Sequence, residues 1–309
     1  MTTYFDQFEF AECLNYYIRN YVARIAVPFY FAAAGFFLFR KIDLEKFDVS
    51  VTQNYIFKLL RLLGIWTVLL FAGGKGQLWY MSGLVVAVCF LSFCLYKRID
   101  FEKILVCAII FFFIGLIGDP YYRLLTPLLK SKITGYPIKT YYEIFSTTRN
   151  GLFMGFPFLL LGGFIEKKRF SIKPIFAFLG FFISMALLFC EVWLIRKWEL
   201  SKGNDVDMYI FLLPVIFFLL IFAVNISIKP RKIYKKLRNV GVILYFSHMF
   251  VYYWIKSWCY LFIEIILKVN INNSIIDYFL TVIITTILGF VIDGLSRKEK
   301  FAFLRYLYS

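Results

Sequence analysis

Residues 174–195 read PIFAFLGFFISMALLFCEVWLI, with Glu191 the only charged side chain, and they follow the basic stretch Lys167-Lys168-Arg169…Lys173. As a helix this run is about 30 Å long, the thickness of the hydrocarbon core of a bilayer. It is apolar on every face, so it has no polar side to turn toward water. The same pairing of an apolar run with a basic cluster recurs along the chain. Spans are expected at 20–39, 56–72, 78–96, 103–118, 150–165, 174–195, 208–226, 241–267 and 275–294. Backbone groups in hydrocarbon must be satisfied within the segment, which selects helices, and the alternating pattern of a barrel strand is missing. The expected fold class is therefore all-α: a polytopic transmembrane bundle of about nine helices.

Composition supports this. Hydrophobic residues make up 61% of the 309 residues and charged ones 17%, well below the roughly one quarter charged in soluble domains. Mean hydropathy is +0.74. The net charge of +16 does not form a nucleic-acid-binding face, because the cations sit in short clusters between apolar runs, where they would meet anionic lipid headgroups. Nucleic acid is excluded as a partner and membrane lipids are expected. The six cysteines lie mostly inside apolar runs without CxxC spacing, so they read as buried small hydrophobes.

Orientation follows from where the cations lie. The first, third, fifth and seventh connections, with their flanks and the C-terminal tail, hold 22 of the 35 Lys and Arg residues. These loops are expected to be cytoplasmic. Nine spans then leave the N-terminus outside, although the first 19 residues carry Asp6, Glu9 and Glu12 and no signal-peptide pattern. The simplest account is a further helix ahead of residue 1. The chain reads as one transmembrane domain, 1–309, with a long exterior loop at 119–149 and a cytoplasmic tail at 295–309. The long loop holds Asp119, Tyr121, Tyr122, Arg123, Tyr141, Tyr142 and Glu143, too aromatic for a linker, and reads as a cap over the bundle.

Ionisable groups inside spans are costly and are functional candidates by default. Arg24 lies just inside the first span, either snorkelling or beside a kink, since Pro28 removes a backbone donor one turn on. Arg149 and Asn150 open the fifth span; Asn150 suits an ordinary helix cap, and Arg149 could point a guanidinium into a site. Gly151, Gly155 and Gly162 allow close helix approach. His248, the sole histidine, suits packing, a proton relay or a general base. Glu191 and Arg196 are expected to pair. Trp79 and Tyr80 fit an interfacial aromatic belt. Asp205-Val206-Asp207 has DxD spacing but reads as a solvated turn, and no metal-ligand cluster, GxSxG or Walker A motif occurs.

Four of these stretches resemble, in order, motifs of the acyltransferase 3 family of bacterial membrane proteins. They are Arg24-Ile-Ala-Val-Pro28-Phe29-Tyr30-Phe31 with Gly35, Leu78-Trp79-Tyr80, Thr148-Arg149-Asn150-Gly151-Leu152-Phe153 with Gly155 and Gly162, and Leu244-Tyr245-Phe246-Ser247-His248. The resemblance covers about residues 15–265 and is nearest the subgroup containing the membrane part of vancomycin-resistance serine racemases and sugar O-acetylases. It implies ten helices with both ends cytoplasmic, and transfer of an acyl group, often acetyl from acetyl-CoA, to a hydroxyl of an envelope glycan. It also implies a histidine in the first helix, but the first span here matches the family's second. Gln77 stands where the family has histidine before Leu-Trp-Tyr; glutamine can hold a hydrogen bond but cannot act as a base at neutral pH.

The expected activity is therefore acyl transfer in the bacterial plasma membrane, with acyl-CoA as donor substrate and no bound cofactor or metal. Arg24, Arg149 and His248 are the catalytic candidates, and Asn150, Trp79, Tyr80, Gln77 and Glu143 would bind substrate. Two other readings use the same residues: a transporter or flippase of an anionic or lipid-linked glycan, and a truncated inactive family member.

Overall fold

A computed structural model describes residues 12–70, 78–125, 147–203, 205–227, 229–255 and 274–308, with isolated positions between them. Among the described residues there is no strand. The helices are α1 (Ala26–Phe39), α2 (Val49–Leu69), α3 (Trp79–Tyr96), α4 (Phe101–Gly118), α5 (Phe156–Lys168), α6 (Pro174–Lys197), α7 (Leu212–Asn225), α8 (Lys232–Trp254) and α9 (Ser274–Leu295). Five helical segments are long and apolar enough to cross a membrane: Glu12–Phe39, which includes α1, then Trp79–Tyr96, Phe101–Gly118, Pro174–Lys197 and Asp277–Leu295. Leu212–Asn225 is a shorter apolar helix. The chain is thus all-helical with several helices suited to a bilayer, and α6 exposes Ile175, Phe176, Leu179, Phe182 and Ile183 as a lipid-facing helix should.

Three starts lie well ahead of the hydropathy reading. Helix α8 starts at Lys232 rather than 241, α2 at Val49 rather than 56, and the first helical segment at Glu12 rather than 20. Apolar windows register only the part that would sit in hydrocarbon. Lysine and arginine are good helix formers, so the basic residues 232–238 are helix, not loop.

The chain divides into two compact units, 1–53 with 83–227 and 54–82 with 228–309. In the first unit α1 and α5 form the most extensive helix pair. Glycine allows this closeness: a Cβ on Gly35 would fall on the carbonyl of Leu159, and one on Gly162 on the carbonyl of Ala32. Phe31 lies against Gly155, Gly35 against Leu159 and Phe39 against Gly163. Contacts advancing in step by four residues mark a parallel pair. The same register carried back brings Arg24 level with Thr148 and Arg149. Helix α7 packs along α6 in the same unit.

Irregular winding flanks this contact on both helices. A π turn (Ile18–Val22) and a 3-10 turn (Ala23–Ile25) precede α1, and a π turn (Gly151–Gly155) precedes α5. Pro28 cannot donate to the carbonyl of Arg24, four residues back, and the regular ladder is broken just there. Such turns recur at functional positions.

In the second unit α8 packs along α9. Asn239 Nδ2 donates to Asp293 Oδ1 at 2.8 Å, and Trp66 stacks on Phe246 with centroids 4.9 Å apart. The tail 299–307 winds as 3-10 helix. It is fastened by Trp66 Nε1 donating to the Leu307 carbonyl at 3.0 Å and by Ser296 with Tyr308, 2.7 Å between their hydroxyl oxygens.

Because backbone atoms already fill the space where a side chain would go, Gly35→Ala and Gly162→Ala should each cost about 2 kcal/mol or more by overpacking. Gly241→Ala in α8, where nothing lies within 4 Å, should be neutral or gain up to about 1 kcal/mol from helix propensity. Thermal unfolding in detergent micelles checks the contrast.

Candidate functional site

At the end of the first unit where α1 and α5 begin, charged side chains from three separate segments converge. Arg24 Nη1 donates to Asp207 Oδ1 at 2.6 Å, and its Nη2 to Asp205 Oδ1 at 2.5 Å. Arg149 Nη1 lies 3.6 Å from the same Asp207 oxygen, and Arg19 Nε 3.3 Å from Asp205. Arg24 is nearly buried, its side chain 13% exposed, and Asp207 17%, whereas Arg149 remains 37% exposed. Two arginines drawn from distant segments thus share one half-enclosed carboxylate.

The loop carrying these carboxylates is suspended by buried polar side chains. Asn20 Oδ1 accepts from Val206 N at 3.0 Å. Asp119 Oδ2 accepts from Asp207 N at 2.6 Å and Met208 N at 3.0 Å. Glu191 accepts from Ile210 N at 2.7 Å, Phe211 N at 2.9 Å and Tyr121 Oη at 2.6 Å. Each would otherwise be a buried donor without an acceptor, at a cost of about 1–3 kcal/mol. Tyr209, completely buried, has a hydroxyl without a hydrogen-bond partner among the described residues, and the same holds for Arg24 Nε.

Electrostatics follow from this burial. Desolvation, reinforced by Asp207, raises the Asp119 carboxyl to about 7, against the pull of its two backbone donors and Arg24. Burial also raises Asp207, with Arg24 and Arg149 opposing it. The cluster therefore holds one carboxyl, Asp119, able to exchange a proton near neutral pH beside fixed guanidinium groups, a pairing that suits proton transfer next to developing negative charge.

The sequence expectations fare unevenly. Arg24 and Arg149 do meet, through Asp207. Arg24 turns its guanidinium to Asp205 and Asp207. Asp205-Val206-Asp207 is not a solvated turn: Asp205 is exposed, but Val206 is buried and Asp207 is enclosed. The expected Glu191–Arg196 pair does not form, because Glu191 serves loop amides while Arg196 lies over the Tyr16 ring, 4.5 Å from its centroid, and donates to Cys13 Sγ. Asn150 is the helix cap, Oδ1 accepting from Leu152 N and Phe153 N at 2.9 Å each; this positions Arg149 and uses the carbonyl oxygen within the chain.

His248 belongs to the second unit. Its Nδ1 faces the carbonyls of Tyr245 at 2.7 Å and Leu244 at 3.1 Å. Carbonyls only accept, so Nδ1 carries the proton and Nε2 is left as the basic nitrogen of the neutral ring. Tyr80 packs edge-on against Tyr245 at 5.6 Å, which joins the second and fourth motif stretches in that unit. Trp79 begins α3. Gln77 and Glu143 lie outside the described residues.

Asp119, Asn20 and Tyr209 were missed from sequence. The available signals were an asparagine inside an apolar stretch four residues before Arg24, and an aspartate at the very end of an apolar span. Among the described residues no group of three or more His, Cys, Asp or Glu is placed to hold a metal ion.

The folded value of Asp119 lies above the roughly 3.9 of an unfolded aspartate, so folding favours the protonated form. Its contribution is complete below about pH 4 and is lost as pH rises through about 7. The thermal midpoint in detergent should fall more steeply between about pH 4 and about pH 7 for the parent than for Asp119→Asn, which keeps an oxygen for the two amides. Parallel curves would show that Asp119 does not titrate in that window.

No protein-family model matches the chain, and no solved structure does. Among curated proteins it is similar to an amino-acid racemase of Enterococcus faecalis, 24% identical over 95% of this chain and 43% of that protein. It is also similar to a serine/alanine racemase of Enterococcus gallinarum, 26% identical over 90% of this chain and 41% of that protein. The chain thus spans about two fifths of the length of the curated relatives it matches.

Proposed function

We propose that this chain is a membrane-embedded acyltransferase that moves an acyl group, acetyl for preference, from acyl-CoA to a hydroxyl of an envelope glycan or similar acceptor. The observation that carries this reading is the convergence of Arg24 and Arg149 on Asp207, since it unites the first and third of the four ordered motif stretches. In the reaction the acceptor oxygen bonds to the thioester carbonyl carbon. The C–S bond breaks, and the hydroxyl proton passes to a base and finally to the departing thiolate.

Asp207, held between two guanidinium groups, is the candidate proton acceptor, with Asp119 behind it. Arg149, the more open cation, is the candidate for stabilising the oxyanion. Asn150 acts through Arg149 by fixing the start of the helix. Nε2 of His248 is the second candidate base, in the other unit. By the distribution of basic residues, the basic ends of α8 and α9 would face the cytoplasm. The protein would sit in the bacterial plasma membrane with about nine spans.

A carrier of free anions is less well supported, because Arg24 already spends both terminal nitrogens on aspartates. The names of the relatives belong to proteins whose greater part lies outside the aligned stretch, so racemisation is a competing reading to be measured rather than transferred.

Membranes containing the full-length protein should transfer label from radiolabelled acetyl-CoA to envelope glycan. Arg149→Ala and Asp207→Asn should each reduce transfer by at least about a hundredfold, the scale of losing one electrostatic or acid–base group. Unchanged labelling in both variants, or conversion of L-serine or L-alanine to the D form without acyl transfer, would overturn the proposal.

A further inference from the structure

A second charged site lies in the unit formed by 54–82 and 228–309, and the acyl-transfer reading does not use it. A cavity of about 790 Å³ opens where the start of α8 meets the end of α9 and the tail. Six cations line it: Lys232, Lys235, Lys236 and Arg238 from α8, Arg297 after α9, and Arg305 from the tail. They face one carboxylate, Asp293, which already holds Asn239 and Arg297. Retaining basic residues on one side of a membrane requires only that they lie in the connecting segments. It does not require two segments well separated in sequence, 232–238 and 297–305, to aim them into a single hollow. The tail is drawn there by specific contacts: Arg305 Nε donates to the Ser296 carbonyl at 2.9 Å, and Arg61 lies over the Tyr306 ring at 5.3 Å.

This concentration of charge is costly when empty. Lys232 and Lys236 are one turn apart on α8, a repulsive spacing. No acidic residue stands in the first turn and no side chain caps it, so cations crowd the end of the helix that is already positive. A phosphate group, whose negatively charged oxygens can accept from several cations at once, relieves all of these terms together. The surroundings indicate what carries it. Ile233, Tyr234 and Leu237 stand exposed between the cations of α8, Phe290 and Val291 are exposed on α9, and Phe303 and Tyr306 on the tail. The phosphate would therefore sit beside open apolar surface suited to acyl chains, and basic hollows between membrane helices are a known setting for anionic headgroups.

We propose that this cavity binds the phosphate of an anionic phospholipid, with Lys235, Lys236 and Arg238 as principal contacts and α8 and α9 receiving its acyl chains. The full chain is purified in a neutral detergent and titrated with phosphatidylglycerol or phosphatidylcholine, retained lipid being counted by native mass spectrometry. Phosphatidylglycerol should bind in preference, and Lys235→Gln/Lys236→Gln should weaken it roughly tenfold or more. Lys41→Gln/Lys46→Gln, which removes equal charge from another basic segment, should leave binding unchanged. Equal loss in both double variants, or no preference between the lipids in the parent protein, would overturn the site. Displacement of the lipid by inorganic phosphate or coenzyme A at comparable concentration would show a soluble phosphate ligand and overturn the assignment to lipid. The parent-protein lipid preference and competition results decide the matter even if the double variant fails to fold.

Discussion

A guanidinium placed at the end of an apolar helix has to find negative charge, and in the first unit that requirement organises everything around it. Arg24 reaches across to Asp205 and Asp207, which ties the loop before α7 to the start of α1. The loop pays in buried amides, and Asn20, Asp119 and Glu191 accept from them. Arg149 joins from a fourth direction because α1 and α5 run parallel at backbone contact, and their register brings position 24 level with position 149. The glycines that permit the approach are therefore as much a part of the site as the charges. A shift of one turn along that interface would separate the two arginines.

The two units handle charge differently. In the first, cations and carboxylates are interleaved and nearly matched, which lowers the cost of enclosing them and leaves Asp119 poised near neutrality. In the second, cations far outnumber the lone Asp293 and line an open hollow. The matched cluster suits chemistry on a proton. The unmatched one suits capture of an anion.

Much of this was legible in sequence, and the limits have physical causes. Apolar length identified α3, α4, α6 and α9 closely, because a bilayer-spanning helix must be continuous in hydrophobicity. It misplaced the starts of α2 and α8, because helix continues into the basic headgroup zone where hydropathy falls. Arg24 and Arg149 stood out since a cation within or beside an apolar run is expensive. Asp207 did not, because a short stretch such as Lys202-Gly203-Asn204-Asp205-Val206-Asp207 has the same composition whether it meets water or two arginines. Glu191 was paired with Arg196 on proximity in sequence, yet the side chain turns to loop amides that no local pattern reveals.

What the sequence determined alone is the medium and the class: too few polar residues to cover a soluble domain, and apolar runs of helix-spanning length separated by cations, leave a helical membrane protein as the outcome. It also marked the glycines and arginines whose types are unusual for their setting. Tertiary structure alone decided which charges meet. Pairing depends on the parallel register of α1 with α5 and on the path of the 205–211 loop, both set by contacts between separate elements, the loop's lying from 19 to 186 positions apart in sequence. Local patterns carry no information about such distances, so the carboxylates that complete the site became visible only when the helices were packed.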